Sequence, residues 1–264
     1  TQCIIGRLYG SAPNMVDIAS SPSTLATLIG IVALALAPLV FLLWFFYTRD
    51  KLNPEPRGLV LKVFGLGLLA FIPTFFIRQF LPLPYWLMGL LIMPIINELA
   101  KFLVVKFGVY DHPEFDEPVD GIIFAATAGL GFATLDVVGS MIYAYFNVRQ
   151  VGVPGAEVGS SPWQAILNLF ALRGLLMAPG HALWSSLWGY SLGMAKFSPA
   201  AQATGLVRNG LLAAILAHAA FNGLTMEPSW WLNRLGLVLL IGVLWVVVMR
   251  CIRYALAVSP YRRA

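Results

Sequence analysis

LMGLLIMPIINELAKFLVV, Leu87 to Val105, decides the fold. The run is close to the roughly 20 residues that cross a bilayer as a helix. It also carries Glu98 and Lys101, opposite charges three residues apart in apolar surroundings. Residues at i,i+3 and i,i+4 share a helix face, so Asn97, Glu98 and Lys101 group together, and the lysine can offset the carboxylate charge. Ionisable side chains within a membrane are costly and mark functional candidates.

The rest of the chain has the same character. Of its 264 residues, 59% are hydrophobic and only 11% charged, against about a quarter in soluble domains. Mean hydropathy is +0.80. These values exclude an ordinary soluble domain and predict an all-α, polytopic membrane helical bundle. The 8 Trp and 9 Tyr suit the membrane interfaces. A net charge of +5 gives no reason to expect a nucleic-acid partner; the expected environment is a lipid bilayer. Cys3 and Cys251 lie near opposite ends and predict no disulfide.

Seven spans are expected, near 25–47, 59–77, 85–107, 121–146, 164–195, 205–223 and 232–249. The fifth is long for one span, and an eighth helix arises if it breaks near Gly174 or Pro179. The domain reading is an extracytoplasmic segment 1–24, one transmembrane domain 25–257 and a cytoplasmic tail 258–264. The opening segment lacks the basic start and apolar run of a secretory signal. Basic residues orient the spans. With the N-terminus outside and the C-terminus in the cytoplasm, Arg49, Lys51, Arg57, Lys62, Lys106, Lys196, Arg208, Arg250, Arg253, Arg262 and Arg263 lie inside. Only Arg7, Arg78, Arg149 and Arg234 lie outside, and Lys101 and Arg173 lie within spans. The acidic stretch DHPEFDEPVD, Asp111 to Asp120, reads as a solvated cytoplasmic turn, and Trp230 and Trp231 as interface anchors.

Glu98, Lys101, Asp136, Arg173, His181 and His218 are the intramembrane ionisable residues, with Asn97 and Asn222 as polar companions. Small residues recur every four positions beside them: Gly121, Ala125, Gly129 and Ala133 lead toward Asp136. Ser185, Gly189 and Gly193 follow His181, and Gly210 and Ala214 precede His218. Such stripes let helices approach closely and turn the polar groups into the bundle. At 1.5 Å per residue, Glu98 lies ~12 Å and the two histidines ~20 Å from the cytoplasmic helix ends, levels that one helical turn reconciles. Glu98, His181 and His218 suit a Zn²⁺ site with an open position for water, and Asn222 is a further donor. The residues alone fit metal-assisted hydrolysis and equally a transporter or proton relay. The ion pairs Glu98–Lys101 and Asp136–Arg173 also suit a structural role. HExxH and phosphate-loop motifs are absent from the sequence.

Three segments resemble the PrsW family of intramembrane proteases, relatives of the CAAX prenyl protease and bacteriocin-processing superfamily. They are NELAKFLVVKFGVYDHPEFDEPVDGIIFAATAGLGFATLD, LRGLLMAPGHALWSSLWGYSLGMAKF and ILAHAAFNGL, within 94–224. The resemblance implies a multi-pass protein of the cell's inner membrane that cuts membrane-anchored proteins; one family role is the first cleavage of an anti-sigma factor. Glu98 and Lys101 match the family's EExxK motif, His181 its PGHA histidine, His218 the last motif and Arg173 the arginine before PGHA. Asn97 stands where the family has its first glutamate, Asp136-Val137 where it has Glu-Asn, and Asn222 where Asp is common. Two accounts follow. In one, Glu98 serves as base or metal ligand, His181 and His218 hold metal or stabilise the oxyanion, Lys101 tunes the site and Arg173 braces it. In the other, the fold persists without the chemistry and the protein binds membrane partners. Oligomeric state is not encoded in any of these motifs.

Overall fold

The computed structural model describes residues 22–147 and 161–263. Residues 1–21 and 148–160, with Cys3, Arg7 and Arg149, lie outside them; of the expected segment 1–24 only 22–24 are described, and they open the first helix. No strand occurs among the described residues. Seven helices are long and apolar enough to cross a membrane. They are α1 (Pro22–Tyr47), α2 (Arg57–Phe80), α3 (Tyr85–Gly108), α4 (Pro118–Asn147), α5 (Trp163–Lys196), α6 (Ala200–Thr225) and α7 (Trp230–Ala257). Phe41, Phe107, Leu216 and Val243 are exposed on their outer faces, as expected for surfaces solvated by lipid. Trp231 is exposed at the start of α7.

The fifth segment is one continuous helix. Of the two readings, one helix or two, the structure has one: Phe170–Met177 widens into π-helix, and the α-helix resumes at Ala178 with Pro179 in its first turn. A proline ring clashes with the carbonyl four residues back in a regular α-helix. The wider i→i+5 turn relieves that clash. The same device occurs in α3, where π-helical Met88–Ile92 precedes Pro94. Met93 N–H bonds Met88 O in the i→i+5 register. Pro94 would follow by bonding Gly89 O, but it has no N–H. The freed Gly89 carbonyl accepts instead from Asn222 Nδ2 at 2.8 Å.

Helix α4 is the buried centre, packed between α2 and α5. Its glycines set the spacing. A Cβ on Gly121 would collide with Gly189 O and the Gly193 backbone, and one on Gly131 would collide with Phe64 O of α2. On α6, a Cβ at Gly210 would meet Ser191 and the Trp188 Cα. The small-residue stripes therefore are helix contacts.

The reading of Asp111–Asp120 as a solvated turn holds for Asp111–Pro113, which are exposed, and is overturned for the rest. Phe115, Glu117 and Asp120 are buried. The turn is covered from far along the chain: Asn53 Nδ2 donates to Asp116 Oδ1 at 3.2 Å, and Tyr261 Oη donates to Asp116 Oδ2 at 2.5 Å. Lys196 Nζ donates to Tyr110 O at 2.5 Å. The ends of α1, α3, α5 and α7 thus meet on one face, as an alternating bundle of seven spans requires.

Candidate active site

Four of the ionisable residues converge from three helices. Glu98 and Lys101 come from α3, His181 from α5 and His218 from α6, and all four are at most 1% exposed. Lys101 Nζ lies 2.5 Å from Glu98 Oε1, and His218 Nδ1 lies 2.9 Å from the same oxygen. Glu98 Oε2 accepts from Ser185 Oγ at 3.2 Å and from Trp188 Nε1 at 3.1 Å. Lys101 Nζ also lies 3.3 Å from His181 Nδ1. An ionised carboxylate has about four lone-pair sites. Here every one has a partner.

These contacts fix the imidazole tautomers. A carboxylate oxygen only accepts, so His218 donates through Nδ1, and its neutral form keeps the Nε2 lone pair. An ammonium only donates, so His181 accepts at Nδ1 and carries its proton on Nε2. Aromatic rings enclose the cluster. Trp184 stacks on His218 at 4.4 Å between centroids with an 18° interplanar angle, and Phe132 lies 5.4 Å from His181. Lys101 Nζ sits 5.5 Å from the Phe132 ring centre, within cation–π range.

The remaining predicted residues take other places. Asn97 is 9% exposed, and its Oδ1 is buried without a hydrogen-bond partner. Asn222, one turn beyond His218, is committed to Gly89 O. Asp136 and Arg173 form a separate half-buried pair, Arg173 Nη1 lying 2.8 Å from both carboxylate oxygens. The structure thus contains both ion pairs expected from the sequence, but only one is in the cluster. Sequence reasoning missed Ser185 and Trp188 as partners of Glu98, and Trp184 as the wall behind His218. The available signal was spacing: Trp184, Ser185 and Trp188 follow His181 at i+3, i+4 and i+7, on its own face.

Glu98, His181 and His218 offer one carboxylate and two imidazole ligand atoms, all within 4.8 Å of one another. That donor set is found in catalytic zinc sites that keep one position open. Lys101 now holds an ammonium between two of the three donors, bonded to Glu98 Oε1 and beside His181 Nδ1. In ligand type and spacing the three residues fit a zinc ion once that ammonium withdraws. The arrangement combines a buried base, two imidazoles and an ammonium at one point in a membrane bundle.

Known proteins agree with that chemistry. The family model described as PrsW family intramembrane metalloprotease matches residues 55–251. The chain is 32% identical to Protease PrsW of Geobacillus kaustophilus over 234 residues, covering 85% of this chain and 92% of the relative. It is 29% identical to Protease PrsW of Bacillus subtilis over 207 residues, 76% of this chain and 85% of the relative. Against Protease PrsW of Clostridioides difficile it is 22% identical over 225 residues, 81% of this chain and 86% of the relative. No solved structure matches the chain. With a matched stretch that contains every residue of the cluster, this chain belongs to the PrsW family of intramembrane metalloproteases.

Proposed function

We propose that this protein hydrolyses peptide bonds of membrane-anchored protein substrates at the Glu98, Lys101, His181 and His218 cluster. The observation that carries the reading is the convergence of these four groups, fully buried, within the bundle. The proposed residence is the cell's inner membrane, with the C-terminus in the cytoplasm; the bias of basic residues supports that orientation. Cleavage of an anti-sigma factor is one form the substrate would take, on the family's precedent.

Glu98, His181 and His218 would hold the zinc ion. When bound, it activates water and polarises a carbonyl. The protein's own groups do the rest. Ser185 and Trp188 fix the orientation of the Glu98 carboxylate through Oε2. That leaves Oε1 as the oxygen that would serve, as zinc ligand or as base, and its present partners Lys101 and His218 are the ones that must give way. Lys101 offsets the carboxylate charge and carries a proton 3.3 Å from His181 Nδ1. Trp184, Phe132 and Phe221 line the site with apolar surface and limit bulk water. Arg173, paired with Asp136, braces α5 two turns before His181. Outside the cluster, a groove of 580 Å³ runs between α3 and α6 past Leu99, Phe102, Leu211 and Ile215. It supports approach of an apolar substrate segment beside the helices that carry Glu98 and His218.

Asn97 favours a second reading, a retained fold that binds membrane proteins without cutting them. Its amide cannot act as a general base at neutral pH. Co-expression with a single-pass membrane reporter separates the two. Cleavage by the wild type that disappears in Glu98→Gln is expected; capture of the reporter without cleavage by either protein would favour the binder. Zinc per chain, measured by elemental mass spectrometry, is expected to be near one and to be lost in a His181→Ala, His218→Ala variant.

A further inference from the structure

A second group of carboxylates lies at the membrane face where the ends of α1, α3 and α7 meet. Asp50 and Glu55 belong to the loop between α1 and α2, Glu117 to the turn after α3 and Asp120 to the first turn of α4. All four are buried, with exposures of 4%, 3%, 0% and 1%. Asp50, Glu55 and Asp120 each offer an oxygen within 4.8 Å of the others.

The aspartates divide their two oxygens between tasks. Asp50 Oδ1 accepts from the amides of Leu52 and Asn53 at 3.3 and 3.4 Å, while its Oδ2 is buried without a partner. Asp120 Oδ2 accepts from the amides of Asp116 and Glu117 at 2.8 and 2.7 Å, while its Oδ1 is likewise unpartnered. Both oxygens of Glu55 are buried with the Asp120 carboxyl as their neighbour, and Glu117 has only the Ser259 hydroxyl and the Asn53 amide beside it. Burying a carboxylate without a counter-charge or donor is strongly unfavourable. Among the described side chains, no ion pair joins a lysine or arginine to any of the four. Lys196, the basic residue that feels this face, gives its ammonium to Tyr110 O.

We propose that Asp50, Glu55 and Asp120, with Glu117 beside them, bind a hard divalent cation, Ca²⁺ or Mg²⁺, on the face of the bundle away from the proteolytic cluster. The donors are all carboxylate oxygens, the ligand type of Ca²⁺ and Mg²⁺ and not of zinc, which favours imidazole and thiolate. The cation ties the loop between α1 and α2 to the start of α4. Asp116, beside the ligands, extends the connection to the chain's end through Tyr261. Protons are the competing occupants. Burial first, then the Asp120, Asp50 and Asp116 carboxylates, push Glu55 up to about 10, so without a cation the group holds its proton.

The test uses the full chain in detergent, stripped with EDTA and titrated separately with CaCl₂ and MgCl₂. Binding is read by calorimetry and by thermal unfolding. One cation is expected to bind with a stoichiometry near one and to raise Tm by about 5 °C or more at saturation. Which salt does so identifies the ion. Glu55→Gln is the decisive variant, because the amide keeps the size of the side chain and a donor toward Asp120 while removing a carboxylate ligand. It is expected to abolish the Tm response while leaving the stripped protein at least as stable as the stripped wild type. Zinc per chain, measured before EDTA treatment, should not change. The absence of a saturable response to either salt, or an equal response in Glu55→Gln, would overturn the proposal and leave protons as the occupants.

Discussion

Two clusters of buried carboxylates stand in this molecule, and they are opposites. At the centre of the bundle, Glu98 is surrounded by an ammonium, an imidazole, a hydroxyl and an indole N–H. At the membrane face, Glu55 has no partner for either oxygen, and Asp50 and Asp120 each leave one oxygen unpartnered. The first is a closed network whose members must part for chemistry to occur. In the second, no described side chain supplies a paired positive charge. Burial alone therefore does not distinguish a carboxylate that must shed partners before it meets an ion from one already open to it; the count of satisfied lone pairs does.

The largest expected effect tests the closed network. Glu98→Gln keeps shape and removes the base, and should lower cleavage of a membrane reporter by about 10²–10⁴-fold with the fold intact. Retained cleavage would move the base elsewhere. The same network predicts strong coupling in stability. Lys101→Met leaves Glu98 charged with only neutral donors and no counter-charge, which costs up to about 3–5 kcal/mol, and adding Glu98→Gln should recover most of that loss without restoring activity. The open cluster predicts no such loss, since Glu55 holds a proton when no cation is bound and the Glu55→Gln amide is equally neutral. If Glu55→Gln lowers Tm as Lys101→Met does without added cation, the contrast between the clusters fails.

Titration sharpens the contrast further. Glu55 rises from an ordinary 4.5 to about 10 in the folded protein. The folded state therefore holds a proton that the unfolded chain releases first, and stability in EDTA should fall as pH rises through that window. Saturating Ca²⁺ or Mg²⁺, whichever binds, should flatten the fall, because the cation replaces the proton. A smaller effect comes from the helix contact that positions His181. A side chain at Gly129 would meet His181 O and Ser185 Oγ, at 2.5 and 3.1 Å from its Cβ. Gly129→Val should cost about 1–3 kcal/mol and lower activity with it. Gly139→Ala, where nothing lies within 4 Å, should do neither.

The sequence made some of this legible for a physical reason. Glu98, Lys101, His181 and His218 stand out because charge and imidazole are rare in apolar helices, and the glycine stripes predicted which faces would meet. Ser185 and Trp188 did not stand out, since both residue types are at home in membrane helices and only the fold brings them to Glu98. The continuity of α5 was hidden because Gly174 and Pro179 are ordinary break signals, and a π-helical turn that absorbs a proline leaves no composition of its own. The acidic turn was misread for a longer-range reason. Asp116 is covered by Asn53 and Tyr261, which lie 63 and 145 residues away, and local polarity carries no trace of such partners.

The smallest expected effect lies at the pair between the two extremes. Arg173 and Asp136 are neither sealed like Glu98 nor orphaned like Glu55: their side chains are 20% and 15% exposed. One guanidinium nitrogen, Nη1, serves both carboxylate oxygens, so the contact lacks the two parallel bonds that make arginine pairs strong. A partly exposed pair of this kind contributes about 0.2–1 kcal/mol. Asp136→Asn should therefore change Tm little and alter KM or kcat by less than about tenfold, the equivalent of 1.4 kcal/mol. Arg173 lies within the π-helical turns where α5 widens before Pro179, so a brace lost here loosens the approach to His181 without touching it. A loss comparable to that of Glu98→Gln would mean that Asp136 holds a reacting group and that the site extends from Glu98 across to α4.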